Sequence, residues 1–435
     1  YNFHYMKKPL SISRCSELIP CFWSFCPSSI SSFEIILSIP NDKIISFIKP
    51  YFDQYPYQLA FESHLGQLFA KVKIDDLNLC DLLNPAQSIV LLKQEILEHP
   101  TASTYLVKCL NRFEVDEILQ YIPQLVQSVR LDTNGVLCDF LKDYCKKSSL
   151  FMHYLLWNIL YEKCHTMNPF TDPLPLRLVQ LEGQILLNMT PEEKVHKDHE
   201  FALIDRFANI SQQLIKFPVE QRKEELVKLL SSNPSLSDDL YVPSNPEYKI
   251  IDINARESRP LKSHEKVPLL VTFTVYDKDK LHNRQKMNFA CIFKTNDDVR
   301  MDAMVIQLID KFRRIFNDAG IDTYVLPYRV FATGEKRGVI ECITHAKSRH
   351  EIGELYPNDL KSYYIHKYGQ VGTETFDKAQ HNFIKSMAPY SLICYLFAIK
   401  DRHNANIMID DDGHIIHIDF GFIFGLSPGK NFNFE

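Results

Sequence analysis

"KDRHNANIMIDDDGHIIHIDFG", residues 400–421, decides how the chain is read. "IMID" and "HIIHID" are short β-rich runs on either side of "DDG", and Asp412-Gly413 suits a tight turn, so the stretch predicts a hairpin. The two ends of a hairpin lie together. Asp401, His403 and Asn406 enter it and Asp419 leaves it, which gathers carboxylate and amide oxygens at one edge. Hard oxygen ligands of this kind suit magnesium, which takes few protein groups and keeps places for water and phosphate oxygens. His414 and His417, three apart on the same run, fall on opposite faces of a strand and make poor joint ligands.

Asp401 and Asn406 are five residues apart, and Asp419 is followed by Phe420 and Gly421. This is the spacing of a phosphoryl-transfer catalytic loop and its D-F-G signature. There one aspartate serves the nucleophile, the asparagine holds metal, and the D-F-G aspartate holds metal on the phosphates. The order is rearranged: "DRH" stands where a protein kinase has H-R-D. A free histidine side chain titrates near neutrality, so His403 is one candidate to take the proton of an attacking hydroxyl; Asp401 is the other. A cation for the ATP phosphates is expected at Lys294, the end of the strand "ACIFK", with Asp302 on the following helix as its carboxylate partner. No G-x-G-x-x-G or Walker A motif occurs, so "ESRPLKSHEK" (257–266) is expected to act as the phosphate loop, with Ser263 as a donor.

Working outward, the 435 residues are 45% hydrophobic and 24% charged, enough for two or three cored domains, and a net charge of -5 gives no reason to expect nucleic-acid binding. Eleven scattered cysteines without a C-x-x-C pair argue against zinc ribbons and disulfide scaffolds and fit a reducing, cytoplasmic setting. The apolar stretch at 18–40 is interrupted by Pro20 and Pro27 before a membrane span accumulates. From 41 to 238 the period is helical, with Ile118, Ile122, Leu125, Val126 and Val129 on one stripe and Leu203, Phe207, Ile210, Leu214 and Phe217 on another. "SSLFMHYLLWNILYEK" (148–163) is apolar nearly all round, as for a helix packed on every side. "TPEE" (190–193) outlines a capping box. After the Pro- and Ser-rich 233–249 the period turns to alternation. "YKIIDI", "PLLVTFTVY", "NFACIFK", "TYVLPYRVFA" and "RGVIECI" predict five strands up to 343, with a turn at "TGEK" and one interposed helix, "DAMVIQLIDKFRRIF". Helix returns at 373–399, where Pro389 is expected to kink or divide it.

At these residues the sequence resembles the phosphatidylinositol 3- and 4-kinase superfamily, whose catalytic loop reads DRHNxN. "HIIHIDFGFIFGLSPG", "YVLPYRVFATGEKRGVIECI", "VPSNPEYKIIDI" and "YIPQLVQSVRLD" look most like its type III alpha 4-kinases, over roughly residues 90–435. The resemblance implies a multidomain chain. An uncertain segment (1–40) and an all-α PIK-type domain (41–238) precede an α+β two-lobed kinase fold, whose N-lobe is 239–343 and whose incomplete C-lobe is 344–435. It implies that Lys294 contacts ATP phosphate with Asp302 near it, that Tyr328 lines the back of the nucleotide pocket, and that Glu341 and Ile343 offer hinge backbone groups to adenine. Asp401, His403 and Lys294 would be catalytic, and Asn406 and Asp419 would hold magnesium, with manganese as the alternative ion. It further implies phosphatidylinositol in a membrane as substrate, scaffold and membrane-anchor subunits as partners, and a cytoplasmic, peripheral location at the plasma membrane. "RMD" (300–302) departs from the family's R-Q-D, and Glu435 falls within the activation loop, so remaining C-lobe helices are expected beyond it.

After D-F-G, "FIFGLSPGKNFNFE" holds one basic residue, Lys430. A head group carrying extra phosphates would ask for several. The loop therefore fits unphosphorylated phosphatidylinositol, with Phe422, Phe424 and Leu426 facing lipid or core. Two alternatives are a protein serine/threonine kinase of the related superfamily, whose loop is usually DRHPSN, and a silent kinase-fold scaffold, which has no use for the full set of Lys294, Asp401, Asn406 and Asp419.

Overall fold

The computed structural model describes residues 88, 89, 92, 97, 100–165, 172–232, 240–261, 266–277, 286–357 and 359–428. The apolar stretch at 18–40, Ser263 and Lys430 lie outside the described residues. The chain divides into two compact units, the first reaching Asp198 and including Thr333–Glu335, the second holding the rest.

The described part of the first unit up to Asp198 is helical. It holds α1 (Pro100–Leu110), α2 (Val115–Leu119), α3 (Ile122–Ser128), a 3-10 turn (Val129–Leu131), α4 (Val136–Lys147), α5 (Ser149–His165), α6 (Leu174–Asn188) and the start of α7 (Pro191–Leu214). The stripe at 118–129 is fully buried as expected, yet it is divided between two helices and a 3-10 turn. Pro123, without an amide proton, fits only the first turn of a helix, so α3 restarts there. In α5 Phe151, Leu155 and Ile159 have no exposed surface and Leu156 and Trp157 almost none, which accounts for its apolar character all round. The loops are fastened by polar groups. Tyr144 donates its hydroxyl to the Phe113 carbonyl at 2.6 Å, and Arg130 grips Asp172 through two parallel bonds of 2.9 Å, a planar fork matched to a carboxylate. The expected capping box forms: the Thr190 amide donates to Glu193 at 2.9 Å and the Glu193 amide to the Thr190 hydroxyl at 3.2 Å.

In the second unit the latter part of α7 and α8 (Arg222–Ser231) accompany a sheet of β1 (Tyr241–Val242), β2 (Asn245–Pro260), β3 (Leu269–Asp277), β4 (Met287–Thr295), β5 (Val330–Gly334) and β6 (Arg337–Glu341). Its order is β1-β2-β3-β4-β6-β5. Phe207 of α7 packs against Phe293 of β4 at 4.4 Å between ring centres, and Ser211 donates to the Val267 carbonyl at 2.7 Å. Helix α9 (Arg300–Asp318) buries Val305, Leu308, Ile309, Phe312 and Phe316, the face its spacing predicts. A second sheet, β7 (Ala346–Ser348), β8 (Ile407–Asp410) and β9 (Ile415–His417), is accompanied by α10 (Arg349–Leu355), α11 (Leu360–Tyr368) and α12 (Glu374–Leu396).

One expectation is corrected and another is narrowed. The fourth strand starts at Val330 rather than at 323. The Tyr324 amide donates to the Lys385 carbonyl at 3.0 Å and the Leu326 amide to the Tyr390 hydroxyl at 3.2 Å, so this segment is committed to α12 and not to a ladder. At Pro389, where a kink or a division was expected, the helix is not divided: α12 runs unbroken from Glu374 to Leu396. A proline at 389 leaves the carbonyl four residues back, that of Lys385, without its helical donor. This is the carbonyl that Tyr324 fills.

Candidate active site

The hairpin expected at the outset forms, with Ile407 opposite His417 and Ile409 opposite Ile415. Asp411, Asp412, Gly413 and His414 connect the strands. Gly413 has φ 91°, and a Cβ there would stand 2.9 Å from the Ala379 carbonyl oxygen. Only glycine meets both demands. The buried Asp410 carboxylate closes the turn by accepting from the Asp412 amide (3.0 Å) and from the His414 amide (2.8 Å) and ring (2.9 Å).

At its open end the hairpin brings the two halves of the motif together. The Ile418 amide donates to the Asn406 carbonyl at 3.1 Å. Asn406, 6% exposed, donates its amide to the Asp401 carbonyl at 3.0 Å, which leaves its Oδ1 as the atom a cation would take. Asp401 and Asp419 have φ of 60° and 59°, a region that non-glycine residues adopt at a cost. Such strain persists only where surrounding contacts impose it.

Arg402 supplies those contacts. Its guanidinium donates to the carbonyls of Lys400 (2.9 Å), Ile418 (2.8 Å) and Asp419, and lies 5.3 Å over the Phe420 ring. It ties the catalytic loop to D-F-G. The sequence analysis gave it no role; its place between Asp401 and His403 was the only signal.

Asp302 holds the same segment from the other side. Its Oδ1 accepts the Phe420 amide at 2.8 Å, and its Oδ2 is 3.9 Å from Lys294 Nζ. The expected lysine–carboxylate pair therefore exists, loosely, and Asp302 reaches D-F-G as well. Lys294 makes a closer pair with Asp297 at 3.3 Å, and Asp297 also holds Lys266 at 2.8 Å. Asp297 escaped the sequence analysis, although it is three residues past Lys294. Burial works to lower the Lys294 pKa, but Asp302, Asp419 and Asp297 outweigh it and hold the ammonium above its ordinary value. Burial pushes the Asp302 carboxyl up, against the pull of Lys294 and the Phe420 amide.

Tyr328, 5% exposed, has its hydroxyl pKa pushed far up by burial and then by Asp302, with the Asp419 backbone working the other way. It thus sits against D-F-G. The Glu341 amide donates to the Arg329 carbonyl at 2.8 Å, so a nucleotide base would find the carbonyl and not the amide of that residue. Ile343, two residues beyond the end of β6, is buried. His403 is over half exposed; its Nδ1 accepts the Ala405 amide at 3.2 Å and its Nε2 is 3.9 Å from Asp401 Oδ2.

Residues 288–435 match the family described as phosphatidylinositol 3- and 4-kinase, and residues 70–174 match its accessory PIK domain. The chain belongs to the phosphatidylinositol 3- and 4-kinase family. It combines a PIK helical domain with a two-lobed kinase fold. It is 35% identical to phosphatidylinositol 4-kinase alpha 1 of Arabidopsis thaliana over 346 residues, 78% of this chain and 17% of that protein. To phosphatidylinositol 4-kinase STT4 of Saccharomyces cerevisiae it is 36% identical over 356 residues, 80% of this chain and 19% of that protein. To phosphatidylinositol 4-kinase beta 1 of Arabidopsis thaliana it is 45% identical over 148 residues, 34% of this chain and 13% of that protein. The chain thus spans about a fifth of the length of the alpha 1 and STT4 relatives it matches.

Proposed function

We propose that this chain is the catalytic portion of a lipid kinase that transfers the ATP γ-phosphoryl group to the 4-hydroxyl of phosphatidylinositol. The observation that carries the reading is Asp302, which joins the lysine for the phosphates to the backbone of D-F-G while Arg402 joins D-F-G to the catalytic loop. Phosphoryl transfer is mostly positioning and charge stabilisation, and this arrangement supplies both. The alpha-type assignment is supported by the similarity to alpha relatives through most of this chain, helical part included, whereas the beta relative matches only a third.

Asn406 Oδ1 and the Asp419 carboxylate are the two hard oxygen donors for magnesium, a set that leaves room for water and phosphate oxygens. When bound, the ion neutralises charge on the phosphates. Lys294 adds a fixed positive charge to them. A neutral His403 whose Nδ1 accepts a hydrogen bond carries its proton on Nε2, so that nitrogen is a donor and not a base. Asp401 is therefore the group that accepts the inositol hydroxyl proton, and the His403 Nε2 proton is offered to the phosphoryl oxygens. Leu426, 54% exposed, is the lipid-facing residue of the loop; Phe424 packs edge-on against Phe397 instead. Among the described residues no helix is long and apolar enough to cross a membrane. The reading places the protein at a membrane surface as a peripheral enzyme.

The test is transfer from labelled ATP to vesicles containing phosphatidylinositol, beside Asp419→Ala and a peptide substrate. Phosphatidylinositol 4-phosphate formed by the parent and not by the variant supports the reading. Peptide labelling alone would replace it with a protein kinase, and nucleotide binding without any transfer would replace it with a scaffold.

A further inference from the structure

Beside the catalytic loop, the second unit holds a cleft of about 390 Å³ lined by Asn404 and by Arg349, His350, Glu354, Tyr356 and Asp359. The His350 amide donates to the Asn404 carbonyl at 2.9 Å, which fastens α10 to the loop. Asn404 follows Asp401 by three residues, and that length of chain reaches at most about 11 Å. The charge in the cleft is uneven. Asp359 accepts the Ser362 amide at 2.6 Å, the Tyr356 hydroxyl meets His366 Nδ1 at 2.8 Å, and Glu354 faces the His350 ring at 3.6 Å. The Arg349 guanidinium, in contrast, makes no hydrogen bond or ion pair among the described residues. Its Nη1 would stand 3.9 Å from a Cβ added to Gly353, one turn along α10, so the bare glycine leaves the planar fork open to the cleft. An open guanidinium fork matches a pair of phosphate oxygens.

We propose that Arg349 binds the phosphodiester of the phosphatidylinositol head group in the cleft between α10 and Asn404, and so turns the far side of the ring toward Asp401. This site rests on the lipid-kinase reading, in which phosphatidylinositol is the acceptor. The 4-hydroxyl and the phosphodiester occupy opposite positions of the inositol ring. When the hydroxyl meets Asp401, the phosphodiester therefore lies a ring's width away and needs a cation of its own. Residues 422–435 offer it Lys430 alone, and Arg402 is committed to backbone carbonyls.

Glycerophosphoinositol, the head group without its acyl chains, separates this site from the membrane. Titrated into the whole chain with magnesium and a non-hydrolysable ATP analogue, it should bind more tightly than free inositol. Arg349→Gln should reduce that preference about tenfold. Gly353→Glu, whose carboxylate comes one turn from Arg349 and pairs with it, should do the same and serves where Arg349→Gln folds poorly. With phosphatidylinositol vesicles, Arg349→Gln should raise the KM for lipid by a similar factor and leave the KM for ATP as it is, with Arg349→Lys falling between. Equal affinity of the parent for head group and inositol, or a preference and lipid KM unchanged in both variants, would overturn the proposal, and continued transfer to phosphatidylinositol would then leave the lipid-kinase reading standing. Loss of adsorption to phosphatidylserine vesicles with the head-group preference intact would also overturn it, by assigning Arg349 to the membrane surface. A head-group preference that depends on Arg349 without any transfer would uphold the site and remove the reading.

Discussion

Arg402 and Asp302 approach D-F-G from opposite sides, and their loss should be felt differently. Arg402→Lys keeps the charge but not the fork that reaches the Lys400, Ile418 and Asp419 carbonyls together. It should cost about 1–3 kcal/mol of stability by urea unfolding, and lower kcat more than it raises the KM for ATP. Asp302→Asn retains an oxygen for the Phe420 amide but removes the charge facing Lys294. Its KM for ATP should rise by about tenfold, on the order of 1.4 kcal/mol, with the fold intact by circular dichroism; unchanged ATP kinetics would show that Asp297 alone positions the lysine. Asp401, Asn406 and Asp419 were legible in the sequence because their spacing and one hairpin are local. Arg402 and Asp297 were not, because their roles lie in what they touch across the fold, and charged residues next to a motif are more often solvated than structural.

The β8–β9 hairpin and α12 show which local rules survive packing. Gly413→Ala places a methyl against the Ala379 carbonyl in a backbone conformation it resists, and should cost about 1–3 kcal/mol. Pro389→Ala restores a donor for the Lys385 carbonyl, but Tyr324 already occupies it, so thermal melting should change by less than about 1 kcal/mol in stability. Asp410 carries the pH dependence of the turn. Burial pushes its carboxyl up, but hydrogen bonds from the His414 ring and amide, the His414 charge and the Asp412 amide outweigh burial and hold it below the ordinary carboxylate value. The folded state then favours the ionised carboxylate. The stabilisation is complete above the unfolded pKa of about 3.9 and is lost as pH falls through the lower folded value. Asp410→Asn should flatten this acid limb and destabilise the protein at pH 7 by about 1–3 kcal/mol. The hairpin could be read from Asp-Gly and alternation. The undivided α12 could not, since the donor that rescues it comes from 61 residues upstream.

On the scale of the whole molecule, helix followed by sheet and the change of period after residue 233 were visible from hydrophobic spacing. That α7 would send Phe207 against β4 was not, because amphipathic spacing gives a buried face without naming its partner. One metal dependence follows for the chain. A chelator should stop phosphoryl transfer, and magnesium alone should restore it. Transfer that persists without divalent ions would remove Asn406 and Asp419 from the roles given to them.

The bond from the Tyr324 amide to the Lys385 carbonyl has a dynamic consequence. Residues 321–329 form neither helix nor strand, and backbone protons in such stretches usually exchange with solvent quickly. The Tyr324 proton is released only when α12 yields at its centre. It should exchange as slowly as the protons in the middle of that helix, so one amide in an irregular strap reports the opening of a long helix.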